Sequence, residues 1–248
     1  MHRKKWLIVF VVIFLIAIPF VFFSTTFLRY AWPQKVWAHK VNTLEKLEEA
    51  TQFFSGIELD VVYDDVSKSF EVNHPPDSSI QLLLSKYLQV GATYPNCRYW
   101  LDMKNLTDSN FVQAATTLSQ CVKSVKLQSS NIIVESPHPE FLPAFQKFGF
   151  NTSFYVPTHL CDVTRKELEV EISAIRNKLN KYPCDFISFE YKDYLIHSNY
   201  FPTQKKICWF TAFGASNKVK SQYLLYKILS DNSVNVLLVP FKAKYGNR

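Results

Sequence analysis

The sequence predicts an α/β chain: a compact (β/α)8 TIM barrel preceded by one N-terminal transmembrane helix. Three observations carry this prediction. Beyond residue 34, strand-like and helix-like runs alternate, which is the pattern of βαβ units and a parallel sheet. The strand candidates number eight, spread over about 215 residues, near the lower end for such a barrel. Hydrophobic residues make up 48% of the 248 and glycine only 5, so one sizeable packed core is expected and disorder is not.

The elements follow in order. His2, Arg3, Lys4 and Lys5 precede residues 6–23, WLIVFVVIFLIAIPFVFF, which carry no charge. Eighteen helical residues span about 27 Å, close to the hydrocarbon thickness of a bilayer. The positive flank should keep the N-terminus cytosolic and send the rest across. The run is long for a signal peptide and no A-x-A-like site follows it, so an uncleaved anchor is expected; cleavage would give a secreted form. Residues 1–30 are therefore expected as cytosolic stub and signal-anchor, and residues 31–248 as an extracytoplasmic barrel domain. Strands are expected at 35–39, 56–63, 97–104, 131–135, 152–156, 185–191, 206–211 and 234–241. Amphipathic helices are expected at 44–54, 79–90, 110–127, 140–148, 165–179 and 218–230, with Asn42-Thr43 and Asp108-Ser109 as N-caps. The last strand falls near the end of the sequence, which leaves no room for a full final helix. An open, doubly wound sheet is the structural alternative. It lacks support, because HKVN rather than a glycine-rich fingerprint follows the first strand.

The net charge of +7 is partly the N-terminal cluster; the remainder is scattered, as at Lys205, Lys206, Lys218 and Lys220. No nucleic-acid motif accompanies it, so a nucleic-acid partner is not expected. The five cysteines show no C-x-x-C spacing, which argues against a zinc knuckle or redox motif. Outside the cytosol a disulfide such as Cys161 with Cys184 could form.

Side chains alternate faces along a strand. In Gly56-Ile-Glu-Leu-Asp-Val61, Glu58 and Asp60 share one face while Ile57, Leu59 and Val61 share the other. If the apolar set packs against helices, the acids point into the barrel, towards the C-terminal end where such sites are built. The third strand repeats the pattern with Asp102 and Lys104. His39 ends the first strand, and His74 follows the second, just before Pro75 and Pro76. Glu135 ends the fourth strand, and the aromatics Tyr191 and Trp209 lie at late strands. Three carboxylates without cysteine match one hard divalent cation, Mg2+ or Ca2+, better than zinc. The H-x-H of many zinc hydrolases on barrels is replaced by Trp37-Ala-His39. A cation flanked by two histidines and a lysine suits phosphodiester chemistry: metal and lysine neutralise phosphoryl oxygens, and the histidines move protons or attack.

The order H…E-x-D…H…D-x-K resembles the phospholipase-C-like phosphodiesterase superfamily, which includes glycerophosphodiester phosphodiesterases and the sphingomyelinase D type. Ala38-His39 with Asn42, Glu58-Leu-Asp-Val61, His74-Pro75-Pro76 and Leu101-Asp-Met-Lys104 look closest to the menorin family and related bacterial proteins. This resemblance implies a (β/α)8 barrel with one metal held by Glu58, Asp60 and Asp102. It implies His39 and His74 as the acid/base or nucleophile pair and Lys104 on phosphate. Lys40, Asn42, Glu135, Tyr191 and Trp209 complete the expected substrate lining, Trp209 matching an aromatic near the substrate in the resembled enzymes. Two departures stand out. Lys40 replaces the arginine that usually follows the first histidine, and an ammonium cannot clamp phosphate with two parallel bonds. Pro75 stands where an acid usually follows the second histidine. The expected function is thus a membrane-anchored, metal-dependent phosphodiesterase acting on a membrane lipid, lipid-derived or glycerophosphodiester substrate. The alternative is a non-catalytic, menorin-like barrel that binds a ligand or partner with the same rim. A barrel glycosidase using Glu58 or Glu135 is a poorer fit, since it leaves Lys104 and both histidines without a role.

Overall fold

The computed structural model describes residues 24–211 and 218–243. Eight parallel strands close on themselves: β1 (Val36–His39), β2 (Gly56–Asp64), β4 (Arg98–Met103), β5 (Ile132–Ser136), β6 (Asn151–Tyr155), β7 (Phe186–Glu190), β8 (Lys205–Trp209) and β9 (Val234–Pro240). Closure is made by β1. It pairs with β9 from Val36↔Leu237 to His39↔Pro240, and with β2 through Ala38↔Ile57. The helices α1 (Thr25–Ala31), α2 (Leu44–Ala50), α3 (Leu84–Gly91), α4 (Phe111–Ser124), α5 (Leu142–Gln146), α6 (Arg165–Lys181), α7 (Tyr194–Tyr200) and α8 (Lys218–Ser230) complete the fold. The expected barrel and its eight strands are present. Among the described residues no helix is long and apolar enough to cross a membrane, and the expected anchor at 6–23 lies outside them.

The alternation read from the sequence decides what faces where. Ile57, Leu59 and Val61 of β2 are fully buried in the layer between strands and helices. Trp37, Trp100, Ile133, Phe186, Ile207 and Val236 form a second, separate cluster that plugs the barrel's interior. Gly56 makes the plug fit: a Cβ there would lie 2.2 Å from Trp37 Cδ2, so only glycine lets the indole cross the barrel floor. The helices cover the outside by spacing and caps. Helix α4 buries Ala114, Ala115, Leu118 and Val122, three and four residues apart. Thr43 caps α2 by accepting from the Lys46 amide, and Thr164 with Glu167 forms a capping box on α6.

Helix α1 leads into β1 and packs close to it. Leu28 is buried in the outer core, and the turn after α1 is tied to strand beginnings. Trp37 Nε1 donates to Gln34 O at 3.0 Å, and the Arg98 guanidinium donates to Gln34 Oε1 at 2.6 Å. Lys206 is not a surface charge, as its place in a scattered basic set implied. It is buried, and its ammonium donates to Phe201 O, Gln204 O and Ser233 Oγ at 2.7, 2.8 and 3.0 Å, which compensates for its lost hydration. All five cysteines are free thiols, so the suggested Cys161–Cys184 bridge is absent.

One strand was not expected. β3 (Ser69–Val72) pairs antiparallel with the far half of β2, outside the barrel proper. Its turn is built on Asp64, whose carboxylate accepts from Val66 N at 2.8 Å and Ser67 Oγ at 2.7 Å, with Lys68 at φ 53°. The first half of the expected helix at 79–90 instead stitches to β3: Val72 N donates to Leu82 O at 2.8 Å, and Glu71 bridges Leu83.

Candidate metal and phosphodiester site

The polar residues of the first strands converge in one cleft of about 240 Å³ at the C-terminal end of the barrel. It is lined by His39, Lys40, Glu58, Asp60, Asp102, Lys104 and Glu135, with Trp100, Tyr155, Trp209, Thr211 and Leu238. The parallel register puts Asp60 beside Asp102 and Asp102 beside Glu135 on neighbouring strands, so three adjacent strands each deliver an acid to one level.

Glu58, Asp60 and Asp102 each offer a carboxylate oxygen, and these oxygens all lie within 4.8 Å of one another. Two oxygens sharing one ion can be no further apart than two bond lengths, about 4.2 Å for magnesium and about 5 Å for calcium. The cluster therefore has the size and the hard donor set of a divalent-cation site. Its electrostatics point the same way. Glu58 and Asp60 are 3% and 1% exposed. Burial, then Asp60 and Asp102, push the Glu58 carboxyl well above its usual range. Burial also raises Asp102, against the pull of Lys104.

Second contacts hold these acids in place. The Lys40 amide donates to Glu58 Oε2 at 2.7 Å, with Lys40 at φ 57°. Asn42 grips Asp60 twice: Nδ2 donates to Oδ2 at 2.7 Å, and Asn42 Oδ1 accepts from the Asp60 amide at 3.0 Å. The Lys104 ammonium bridges Asp60 Oδ1, at 2.7 Å, and Asp102 Oδ2, and these carboxylates raise its pKa. His39 Nε2 lies 3.7 Å from Glu58 Oε2. Burial, then Lys40, bring its pKa down to about 4, so the imidazole is neutral at physiological pH and able to accept a proton.

Eight of the eleven expected site residues line this cleft; Asn42 supports Asp60 without lining it, and Tyr191 and His74 stand apart. Tyr191 turns away. The chain leaves β7 in a 3-10 turn (Tyr191–Asp193), and the tyrosine packs on Phe210 with centroids 4.5 Å apart, its hydroxyl 3.5 Å from Ser221 Oγ. Read as a strand end, it had the right place but the wrong face. His74 sits on the segment leaving β3. That segment is brought back to β2 by a 3.1 Å bond from Asn73 N to Asp60 O. Its Nδ1 is 3.8 Å from Asp77 Oδ2, and the side chain is 31% exposed beside the cleft rather than lining it.

The sequence reading passed over Trp100, Tyr155, Thr211 and Leu238. Strict alternation could have found three of them, since Trp100 precedes Asp102 by two, Tyr155 follows the inward Ser153 by two, and Leu238 follows the inward Val236 by two.

No family model matches the sequence, and no curated protein does. Solved structures do match. The fold is that of glycerophosphodiester phosphodiesterases. One from Parabacteroides distasonis has a TM-score of 0.59 at 17% identity, covering 83% of this chain and 92% of its own. A phosphodiesterase from Oleispira antarctica, solved with the product sn-glycerol-3-phosphate, also has a TM-score of 0.59, at 14% identity over 84% of this chain and 94% of its own. These neighbours belong to the phospholipase-C-like phosphodiesterase superfamily that the motifs resemble; a particular closeness to menorins has no counterpart among them.

Proposed function

We propose that this chain is a divalent-metal-dependent phosphodiesterase acting on a phospholipid-derived or glycerophosphodiester-type substrate. In this reading residues 6–23 anchor it, and the barrel faces away from the cytosol. The observation that carries the proposal is the meeting of Glu58, Asp60 and Asp102 with Lys104 and a neutral His39 in one cleft. The barrel shared with the Parabacteroides and Oleispira enzymes supports it.

Glu58, Asp60 and Asp102 would hold the cation, which supplies positive charge against the phosphoryl oxygens. The 4.8 Å spread suits calcium as it stands and magnesium after a small contraction. Lys104, which bridges Asp60 and Asp102, would offer its ammonium to a phosphoryl oxygen. His39 acts as nucleophile or takes the proton of the attacking hydroxyl, which is water or an internal hydroxyl that closes a cyclic phosphate. His74 gives the leaving oxygen its proton. Lys40 and Asn42 orient Glu58 and Asp60, and Trp209 walls the leaving-group side.

The deciding experiment is calorimetric titration of the detergent-solubilised chain with calcium, magnesium and manganese, beside turnover of glycerophosphodiesters. Binding below millimolar that is lost in Glu58→Gln, with metal-dependent turnover, is the expected result. No binding up to millimolar sinks the proposal. One observation favours a second reading, a non-catalytic binding barrel: His74 lies against Asp77 outside the cleft lining. Metal binding without turnover of any diester, unchanged by His74→Ala, would select it.

A further inference from the structure

The excess positive charge looks scattered along the sequence but is gathered in the fold. Lys126, Lys147, Lys181 and Lys205 stand just ahead of β5, β6 and β7 and at the first residue of β8, and all four are exposed. Those strands are consecutive neighbours in the sheet, so the four residues share one arc of the pole where strands begin. Lys123, Arg176 and Lys178, exposed near the ends of α4 and α6, add to it. Residues 123–131, 146–151, 176–185 and 200–205 thus hold these seven basic residues against one acid, Asp185, whose carboxylate accepts from the Thr152 amide at 2.8 Å.

The other ends of the same strands are the reverse. Residues 136–142, 156–167 and 190–194 hold five acids, Glu140, Asp162, Glu167, Glu190 and Asp193, against Arg165, Lys166 and Lys192. There, Arg165 pairs with Glu169 and Lys192 with Glu190, each at 3.2 Å. None of the seven basic residues of the arc has an ion-pair partner among the described residues. Unpaired like charges on one arc repel one another, and a surface of opposite charge relieves that.

The rest of that pole says which surface. The turn at residues 32–35 is bound there to the starts of β1 and β4. Tyr30, two residues ahead of the turn, is 85% exposed on α1, and the uncharged run 6–23 lies shortly before it in sequence. Half-buried rings also lie among the cations: Lys123 Nζ is 6.0 Å from the Phe148 ring centroid, and Lys181 Nζ 5.1 Å from that of Tyr182. Exposed lysines interleaved with aromatics, beside an apolar run, are the composition of a bilayer interface with anionic headgroups.

We propose that the arc of Lys126, Lys147, Lys181 and Lys205 is a docking surface for an anionic lipid bilayer, which holds the barrel upright with its mouth away from that bilayer. This rests on the membrane placement in the proposed function and names the face that meets the lipid.

The test places the full chain in nanodiscs of phosphatidylcholine alone, or with about a quarter of it replaced by phosphatidylglycerol, and reads acetylation of each lysine by a water-soluble reagent. Lys147 and Lys181 should label at least about fivefold more slowly in the anionic discs, with Lys166 and Lys192 at the mouth within about twofold, and 1 M salt, where screening acts within about 3 Å, should remove the difference. Equal labelling of the arc in both discs overturns the surface. So does protection of Lys166 and Lys192 instead, which would turn the mouth to the lipid. Protection of the arc by single-stranded RNA in neutral discs, with none from anionic lipid, hands it to nucleic acid and overturns the assignment. With Lys126, Lys147, Lys181 and Lys205 all changed to Gln, exposed positions where folding is not at stake, Lys123 and Lys178 should label alike in both discs; persisting protection overturns the role of the four. A chain that does not stay with the discs sinks the anchor on its own account. Sedimentation with vesicles of the two compositions then decides the surface: association with the anionic ones alone upholds it, and equal behaviour with both overturns it.

Discussion

The floor and the mouth of this barrel are built from the same strands, one pleat apart, and they are opposites. Trp37 is followed two residues on by His39, Trp100 by Asp102, Ile133 by Glu135 and Phe186 by Ser188. Two residues of strand are about 6.6 Å. Over that distance the interior passes from a dry aromatic and aliphatic plug to four carboxyl-bearing residues in a cleft. The floor contributes stability by burial. The mouth spends it, because Glu58 and Glu135 are buried carboxyls held far from their ordinary ionisation.

Substitutions at the two levels should therefore diverge. At the floor, Trp37→Ala should cost about 4 kcal/mol of folding stability in urea titrations, leaving calcium affinity in the folded fraction within about twofold. Equal losses of stability and affinity would break the contrast. At the mouth, Glu58→Gln should lower metal affinity at least about a hundredfold, about 2.7 kcal/mol, while metal-free stability stays level or rises. A large drop in metal-free stability would show that Glu58 is structural.

The pH dependence sharpens the same point. Glu58 and Glu135 have folded pKa values above their unfolded ones, so the folded state holds more protons. Metal-free stability should fall as pH rises from about 4.5 through the raised values, by up to about 1.4 kcal/mol per pH unit for each extra proton. Saturating calcium should flatten that slope, and a flat metal-free profile would contradict the burial of these acids. Asn42→Ala, which frees Asp60 from its two bonds, should cost about tenfold in metal affinity. Smallest of all, Tyr191→Phe should change stability by under about 0.5 kcal/mol and turnover not at all, since its hydroxyl makes one long bond away from the cleft.

Period-two alternation made the barrel and the metal half of the cleft legible. Ile57, Leu59 and Val61 against Glu58 and Asp60 fix both faces of β2 without any tertiary information. What the pattern missed has local causes. β3 is four residues, Ser-Phe-Glu-Val, too short for a periodic signal and followed at once by His74-Pro75-Pro76. Helix α7 is seven residues with tyrosines at both ends and an interior His197, a composition that carries no helical stripe. Tyr191 fails because alternation stops where backbone dihedrals change: Glu190 is the last residue of β7, and the next begins a turn. The Glu135–Tyr155–Trp209 side was only partly legible, since its three members lie on three strands and no short motif joins them.

Helix α1 has a consequence for what the cleft can reach. Ser24 caps it, Leu28 is buried in the outer core, and the turn at residues 32–35 is bound to the starts of β1 and β4. The described chain thus enters the barrel through that turn, at the pole opposite the mouth. If the proposed anchor holds the chain from that pole, it would act as a pedestal and point the cleft at the aqueous space, a full barrel height from the bilayer. Under the proposed function, such a placement would favour diesters already released into solution, or those on a surface facing its own, over those of the leaflet that carries the tether.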